Sequence, residues 1–184
     1  MRITLILIAV LAALVPAQAQ SARAVAVADF VEAGADSGLL PSARLSEVLQ
    51  DLLQQRAAGR FRVIAGDSVR AALRARGYTA EDLISPSRAV EIAQAVGADW
   101  LVTGRWTHLR FIGRSTPEDP ATPSIRHGDM LAYAAVEIRV LEAANRRILF
   151  EGRFTGEAAG GDLSSLLLAA TEALRGAAER IARL

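Results

Sequence analysis

The chain has 184 residues, 52% of them hydrophobic and 22% charged, with a formal net charge of +1. That composition suits one globular domain. It lacks the positive excess usual in general nucleic-acid or anionic-membrane binders. Cysteine is absent, which removes disulfides, thiolate metal sites, cysteine nucleophiles and a lipid-modified N-terminal cysteine.

Met1-Arg2 is a minimal positive start, and Ile3 to Val15 is an apolar run interrupted only by Thr4. Pro16 breaks the run, and Ala17-Gln18-Ala19 places small residues where a signal peptidase reads. Residues 1–19 therefore read as a secretory signal peptide cut after Ala19. The apolar run is shorter than the roughly 20 residues that span a bilayer. The remainder, residues 23–184, reads as a single soluble periplasmic domain, with no integral membrane segment after cleavage and no acyl anchor.

Val25-Ala26-Val27-Ala28-Asp29-Phe30 is the first predicted strand, and a polar loop follows from Glu32 to Gly38. Pro41-Ser42 opens a helix to Gln55 with Leu45, Val48, Leu49, Leu52 and Leu53 on one face. Arg60 to Ile64 alternates as a second strand, so the default is a right-handed parallel β-α-β unit. Gly66-Asp67-Ser68 is expected to cap a helix from Val69 to Arg76 that Gly77 closes. Tyr78 to Leu83 has helical tendency, and Ser85-Pro86 suits an N-cap and first turn.

The helix that begins there carries Ala89, Val90, Ile92, Ala93, Ala95 and Val96 at helical spacing, and Gly97 stops it. A strand is predicted from Trp100 to Ile112. Residues 113–128 hold Pro117, Pro120 and Pro123 without periodicity and read as a flexible loop, long for a compact domain. Met130 to Leu141 alternates again, with Ala132, Ala134, Val136, Ile138 and Val140 on one side and Tyr133, Glu137 and Arg139 on the other. A turn at Glu142 to Arg146 leads to a last strand, Arg147 to Phe154. Gly160-Gly161-Asp162 then starts a final helix whose stripe is Leu163, Leu166, Leu167, Ala170, Leu174, Ala177, Ile181 and Leu184. The expected fold class is α/β: a mixed sheet of about five strands, parallel at its start and an antiparallel meander at its end, with helices packed on it.

Chemistry-bearing patterns are scarce. His108 and His127 are the only histidines and lack metal-ligand spacing. Asp67-Ser68 at a helix start reads as a cap rather than a nucleophile pair, and no G-x-S-x-G elbow exists. The glycines form neither G-x-G-x-x-G nor a Walker loop, and the chain has no lysine. No catalytic, cofactor-binding or metal site is expected, and the chain reads as no enzyme. Trp100 and Trp106 share one side of a strand by even spacing, which suits core packing.

Arg56, Arg60, Arg62, Arg70, Arg74 and Arg76 crowd one stretch opposed only by Asp67. Arg56, Arg60, Arg62, Arg70 and Arg74, with Arg114 and Arg126 of the loop, are the expected partner-contact residues. The plainer alternative is a solvated surface.

The order and spacing of these segments resemble a periplasmic superfamily. The residues that carry the resemblance are Ala93-Gln94-Ala95-Val96-Gly97-Ala98-Asp99-Trp100-Leu101-Val102-Thr103-Gly104, together with Arg139-Val140-Leu141-Glu142-Ala143 and Arg146-Arg147-Ile148-Leu149. The superfamily includes the TolB amino-terminal domain, the CsgG family of curli secretion and the LpoB-type activators of cell-wall synthases. The resemblance implies an envelope protein-interaction or assembly module with an envelope protein partner and room for an oligomer. CsgG and LpoB members are typically lipoproteins, whereas this chain has no cysteine. Residues 113–128 are too short and polar for the membrane hairpins of a CsgG-type pore. A hydrolase or small-ligand protein of unrecognised type and a secretion-channel subunit are the alternatives.

Overall fold

A strand buried on both faces needs a continuous apolar run, and β1 (Arg23–Val27) supplies one. Val25, Ala26 and Val27 are completely buried, as is Ala28 just beyond the strand. In this computed structural model, which describes residues 22–32, 39–56, 59–113 and 130–184, β1 lies between two parallel neighbours. They are β3 (Phe61–Ile64) and β4 (Trp100–Gly113), with Val25 opposite both Val63 and Trp100. Between β1 and β3 the chain passes through β2 (Val31–Glu32) and α1 (Ser42–Arg56). Between β3 and β4 it passes through α2 (Gly66–Arg76), a 3-10 turn at Glu81–Ile84 and α3 (Pro86–Ala95). β4 then pairs antiparallel with β5 (Met130–Glu142), and β5 with β6 (Arg147–Ala159). α4 (Leu163–Ile181) closes the described fold.

Among the described residues the sheet has six strands, in the order β3-β1-β4-β5-β6, with β2 pairing to β4. The mixed parallel and antiparallel arrangement is the one expected. The extra strand is β2, two residues long, in a stretch that reads as the end of the first strand and the start of a loop. Its register with β4, Val31 opposite Arg105, is a contact between residues distant in the chain and has no local signature. β6 also runs to Ala159, five residues past its expected end.

Two apolar layers sandwich the sheet. α1 and α4 cover one face, burying Val25, Val27, Trp100, Val102, Trp106, Val136, Ile138 and Val140 against Leu45, Leu49, Leu53, Leu166, Leu174 and Ile181. α2, α3 and the 3-10 turn cover the other, over Ala24, Ala26, Ile64, Leu101 and Leu141. Both tryptophans are core residues, as their spacing suggests, at 1% and 2% exposure.

Helix ends depart from the sequence reading in instructive ways. Ala65, not the Gly66-Asp67-Ser68 stretch, is the N-cap of α2, and no side chain caps it. Asp67 instead accepts from the Arg70 guanidinium one turn on. Ser85 does sit at the N-cap of α3 with Pro86 following, but its hydroxyl is 2.9 Å from that of Ser87. Asp162 caps α4 in a reciprocal box with Ser165. Leu163, expected in the buried stripe of α4, is 55% exposed. At the first helical position it precedes the turn that reaches the sheet, and Ala169, Ala173 and Ala178 complete the buried arc. Gly77 and Gly97 both take φ of 66°, the left-handed geometry that ends α2 and the segment after α3.

The leader and the loop at 113–128, apart from Gly113 itself, fall outside the described residues.

Candidate functional site

The arginine cluster does not assemble as one patch. Arg56 pairs with Glu179 of α4 at 2.8 Å. Arg60 donates to the carbonyl of Ala182 at 2.7 Å and lies over the Phe61 ring. These two tie α1 and β3 to the end of α4. Arg62 is exposed on β3, opposite Ala24, on the sheet face that α2 covers. Arg70 bridges Asp29 at 3.0 Å and Asp67 at 2.7 Å. The hydrogen bond to Asp67, with help from Asp29 and against partial desolvation, raises the Arg70 guanidinium above its ordinary value. The expectation that Asp67 alone opposes the cluster is therefore corrected: Asp29 and Glu179 also oppose it, because the fold brings them in from β1's end and from α4. Arg74 and Arg76 stand exposed on α2. Arg114, Arg126 and His127 lie outside the described residues.

Ser46 is the one fully buried hydroxyl among the described residues. Its Oγ lies 2.9 Å from Asp29 Oδ1 and 2.8 Å from the Ala43 carbonyl. One hydroxyl proton serves one acceptor at a time, and no imidazole is bonded to the pair. The arrangement anchors α1 to the end of β1.

A cleft of about 130 Å³ opens where the 3-10 turn meets the meander, lined in part by Asp29, Val31, Leu83, Ile84, Gly104 and Arg139. Its charges are matched within the chain. Arg105 pairs with Glu137 at 2.7 Å and Arg139 with Glu151 at 3.1 Å. Arg139 also donates to the Ile84 carbonyl at 3.1 Å. The glycine at 104, prominent in the sequence, is explained by packing. A Cβ there would stand 2.4 Å from the Phe30 ring, which itself meets Trp106 edge to face at 5.9 Å.

Past this cleft the helical layer ends, and β4, β5 and β6 show one face without a helix on it. Register sets the side chains of this face in rows. Arg105 faces Glu137, which faces Arg153; Thr103 faces Arg139, which faces Glu151; Arg110 faces Tyr133, which faces Glu157. His108 sits among them on β4. Its Nδ1 accepts from Arg153 Nη2 at 3.2 Å, and its ring meets that of Tyr133 at 6.1 Å. Arg110 reaches over the same tyrosine.

The sequence signal for this surface is alternation, in which Glu137 and Arg139 read as outward-facing. The rows need strand pairing, and the irregularities between Trp106 and His108 and between Val140 and Leu141 shift that pairing. A shift of one residue moves side chains to the other face. Among the described residues no three histidine, aspartate or glutamate side chains gather as a metal site. No helix among them is long and apolar enough to cross a membrane.

No protein-family model matches this chain, nor does the sequence of any curated protein. Solved structures share its fold. Lipoprotein GNA1162 from Neisseria meningitidis matches at 14% identity over 88% of this chain and 99% of its own, with a TM-score of 0.56. The PelC dodecamer from Paraburkholderia phytofirmans matches at 16% identity over 88% of this chain and 87% of its own, with a TM-score of 0.51. The LpoB C-terminal domain from Salmonella enterica matches at 16% identity over 76% of this chain and 85% of its own, and its TM-score of 0.49 gives it no weight. At such identities the likeness is one of fold.

Proposed function

We propose that the chain is a non-catalytic module of the cell envelope that acts by protein interaction or assembly, in the manner of the TolB amino-terminal, CsgG and LpoB superfamily. It works in the periplasm after loss of residues 1–19. The observation that carries this reading is the bare, charged face of the β4-β5-β6 meander. A rigid sheet that holds Arg105, Arg110, His108, Tyr133 and Arg153 in fixed rows is suited to contacting another protein. Its fold likeness to a lipoprotein and to a dodecameric protein supports the same class. The α2 arginines, Arg62 of β3 beside them, and the loop arginines, Arg114 and Arg126, stay as secondary contact candidates.

A role as a secretion-channel subunit draws support from the PelC dodecamer alone, and ring-shaped particles of the purified chain in electron micrographs would favour it. A hydrolase or small-ligand protein is disfavoured. The cleft of about 130 Å³ is below the ~300–1,000 Å³ of usual ligand pockets, and its arginines are already paired with glutamates. A hollow of about 340 Å³ at the end of α4 is lined by Arg56 and Glu179, which pair with each other.

The test is site-specific photo-crosslinking in the native envelope, with the crosslinker in place of Arg110, Tyr133 or Arg74. Adducts from positions 110 and 133 are expected. Adducts from position 74 alone would transfer the contact to α2, and none from any position would overturn the reading.

A further inference from the structure

The two edges of the sheet are managed differently. β3, at one edge, has only four residues, and Arg60 just before it is tied to the end of α4. β6, at the other edge, runs for 13 residues and contains no proline. No described strand pairs with its outer side. Proteins usually blunt such an edge with proline, lysine or brevity, because its free N–H and C=O groups template another strand.

The charges of β6 say which strand. Arg147 pairs with Glu142, and Glu151 pairs with Arg139. Arg153 bonds only to the His108 ring, and Glu157 has no oppositely charged partner among the described residues. Both are exposed. We propose that two copies of this chain join edge to edge, β6 antiparallel to β6, about a two-fold axis through Thr155. In such a self-complementary interface each residue faces the one placed symmetrically about the axis. An axis at Thr155 sets Arg153 opposite Glu157 twice and Thr155 opposite its own copy. Both kinds of pair favour antiparallel strands.

Neighbouring registers serve these charges less well. An axis at Gly156 sets Arg153 against Ala159 and Glu157 against Thr155, which leaves both charges unmatched. An axis at Glu151 or Arg153 sets that charge against itself, and an axis at Phe154 sets Glu151 against Glu157. An axis at Gly152 also sets opposite charges together, Glu151 against Arg153, but it runs the pairing into the irregularity beside Phe150. With the axis at Thr155, the paired segment from Glu151 to Ala159 lies wholly past that irregularity. α4 supplies an apolar shoulder to the same edge. Glu172 Cβ stands 3.0 Å from where a Cβ on Gly156 would be. Leu168, one helical turn before it on the same side, is 63% exposed.

The pairing runs along the edge of the sheet and shares Arg153 and Glu157 with the rows of the face assigned above to an envelope partner. The two readings are separated by their readouts, self-association of the purified chain here and crosslinked adducts from positions 110 and 133 there. The experiment uses the full chain expressed with its own leader. Sedimentation equilibrium of the wild type is expected to show a concentration-dependent dimer. Arg153→Glu and Glu157→Arg each turn both pairs into like charges and are expected to weaken the dimer about tenfold or more. Circular dichroism should stay unchanged, because both side chains are exposed. The first variant is acidic at both positions and the second basic at both. Mixing them sets acid against base at both pairs and is expected to restore association. Thr155→Cys should form an intermolecular disulfide under mild oxidation, and Arg74→Cys should not. The chain has no other cysteine to confuse the result. A wild type that stays monomeric at every concentration overturns the proposal. So does a dimer or larger ring indifferent to both reversals, or a mixture that fails to reassociate.

Discussion

The carboxylate of Asp99 accepts a hydrogen bond from the backbone N–H of Ala24 at 2.8 Å, while its own N–H donates to the Ala24 carbonyl at 2.8 Å. Its carbonyl accepts from Ala143 N–H at 2.9 Å. A single residue just after the Gly97 turn thus ties together the start of β1, the approach to β4 and the turn after β5. The Gly97-Ala98-Asp99 sequence is a structural knot between three strands. Ala24 is nearly buried, so Asp99→Ala would orphan its N–H at a cost of about 1–3 kcal/mol. At about 2–4 °C per kcal/mol for a chain this long, thermal unfolding should fall by several degrees. Asp99→Asn, which keeps an acceptor oxygen, should lose less. An Asp99→Ala protein that melts with the wild type would show that the carboxylate contributes nothing.

Leu174 is completely buried against the sheet. Leu174→Asp would place an unpaired charge there, costing several kcal/mol, comparable to the whole stability of a domain. Loss of soluble protein is the expected outcome. Leu163→Asp, on the same helix but exposed, should express and melt like the wild type. Equal behaviour of the two variants would refute the burial pattern of α4.

Gly156 lets α4 approach the backbone of β6. A Cβ at that position would lie 2.1 Å from the Ala169 carbonyl oxygen and 2.7 Å from the Ala173 nitrogen. Both are backbone atoms and neither can rotate away. Gly156→Ala must push the helix off the sheet, and overpacking of this kind costs about 1–3 kcal/mol or more. A lowered midpoint in urea checks it. A more stable protein would mean that α4 moves freely over β6.

Asp82 accepts from the Thr79 backbone N–H at 2.8 Å and from the Thr79 hydroxyl at 3.0 Å, and it pairs with Arg88. The backbone bond to Thr79 leads these effects, and together they hold the carboxyl below the usual carboxylate range. A carboxylate depressed in the folded state stabilises it above the unfolded value, and the effect fades as pH falls through the folded one. Asp82→Asn should therefore melt below the wild type at neutral pH, and the two curves should converge in acid. A gap that persists below the folded value would assign the loss to packing instead of charge.

Gly113 and Met130 face each other in the β4-β5 register. The ends of the intervening segment are therefore already adjacent, and closure entropy changes by only about 0.6 kcal/mol per doubling of loop length. Replacing Arg114 to Arg126 with a short Gly-Ser turn should leave the melting temperature nearly unchanged. Capture of an envelope partner should fall if Arg114 and Arg126 contribute to contact. A collapsed melting temperature would show that the segment packs on the domain. Unchanged capture would confine the contact to the sheet face or α2.

Short-range pattern is enough to read most elements of this chain. Alternation marks β5, helical spacing marks α1 and α3, and Gly77 and Gly97 end their segments at the positions expected. These features depend on neighbours within a turn or a strand, so sequence alone determined them. The tertiary structure decided what depends on distant residues. Asp29 and Glu179 reach Arg70 and Arg56 only because the fold brings β1's end to α2 and α4 to α1. Asp67 pairs with a guanidinium rather than capping α2, since Arg70 lies one turn away on a half-buried face. The rows on the open meander face exist only in the folded pairing, where two irregularities set which side chains point outward. A residue's own alternation gives its parity. Which face that parity occupies, and which charge stands opposite, is fixed by strands that meet across long stretches of chain.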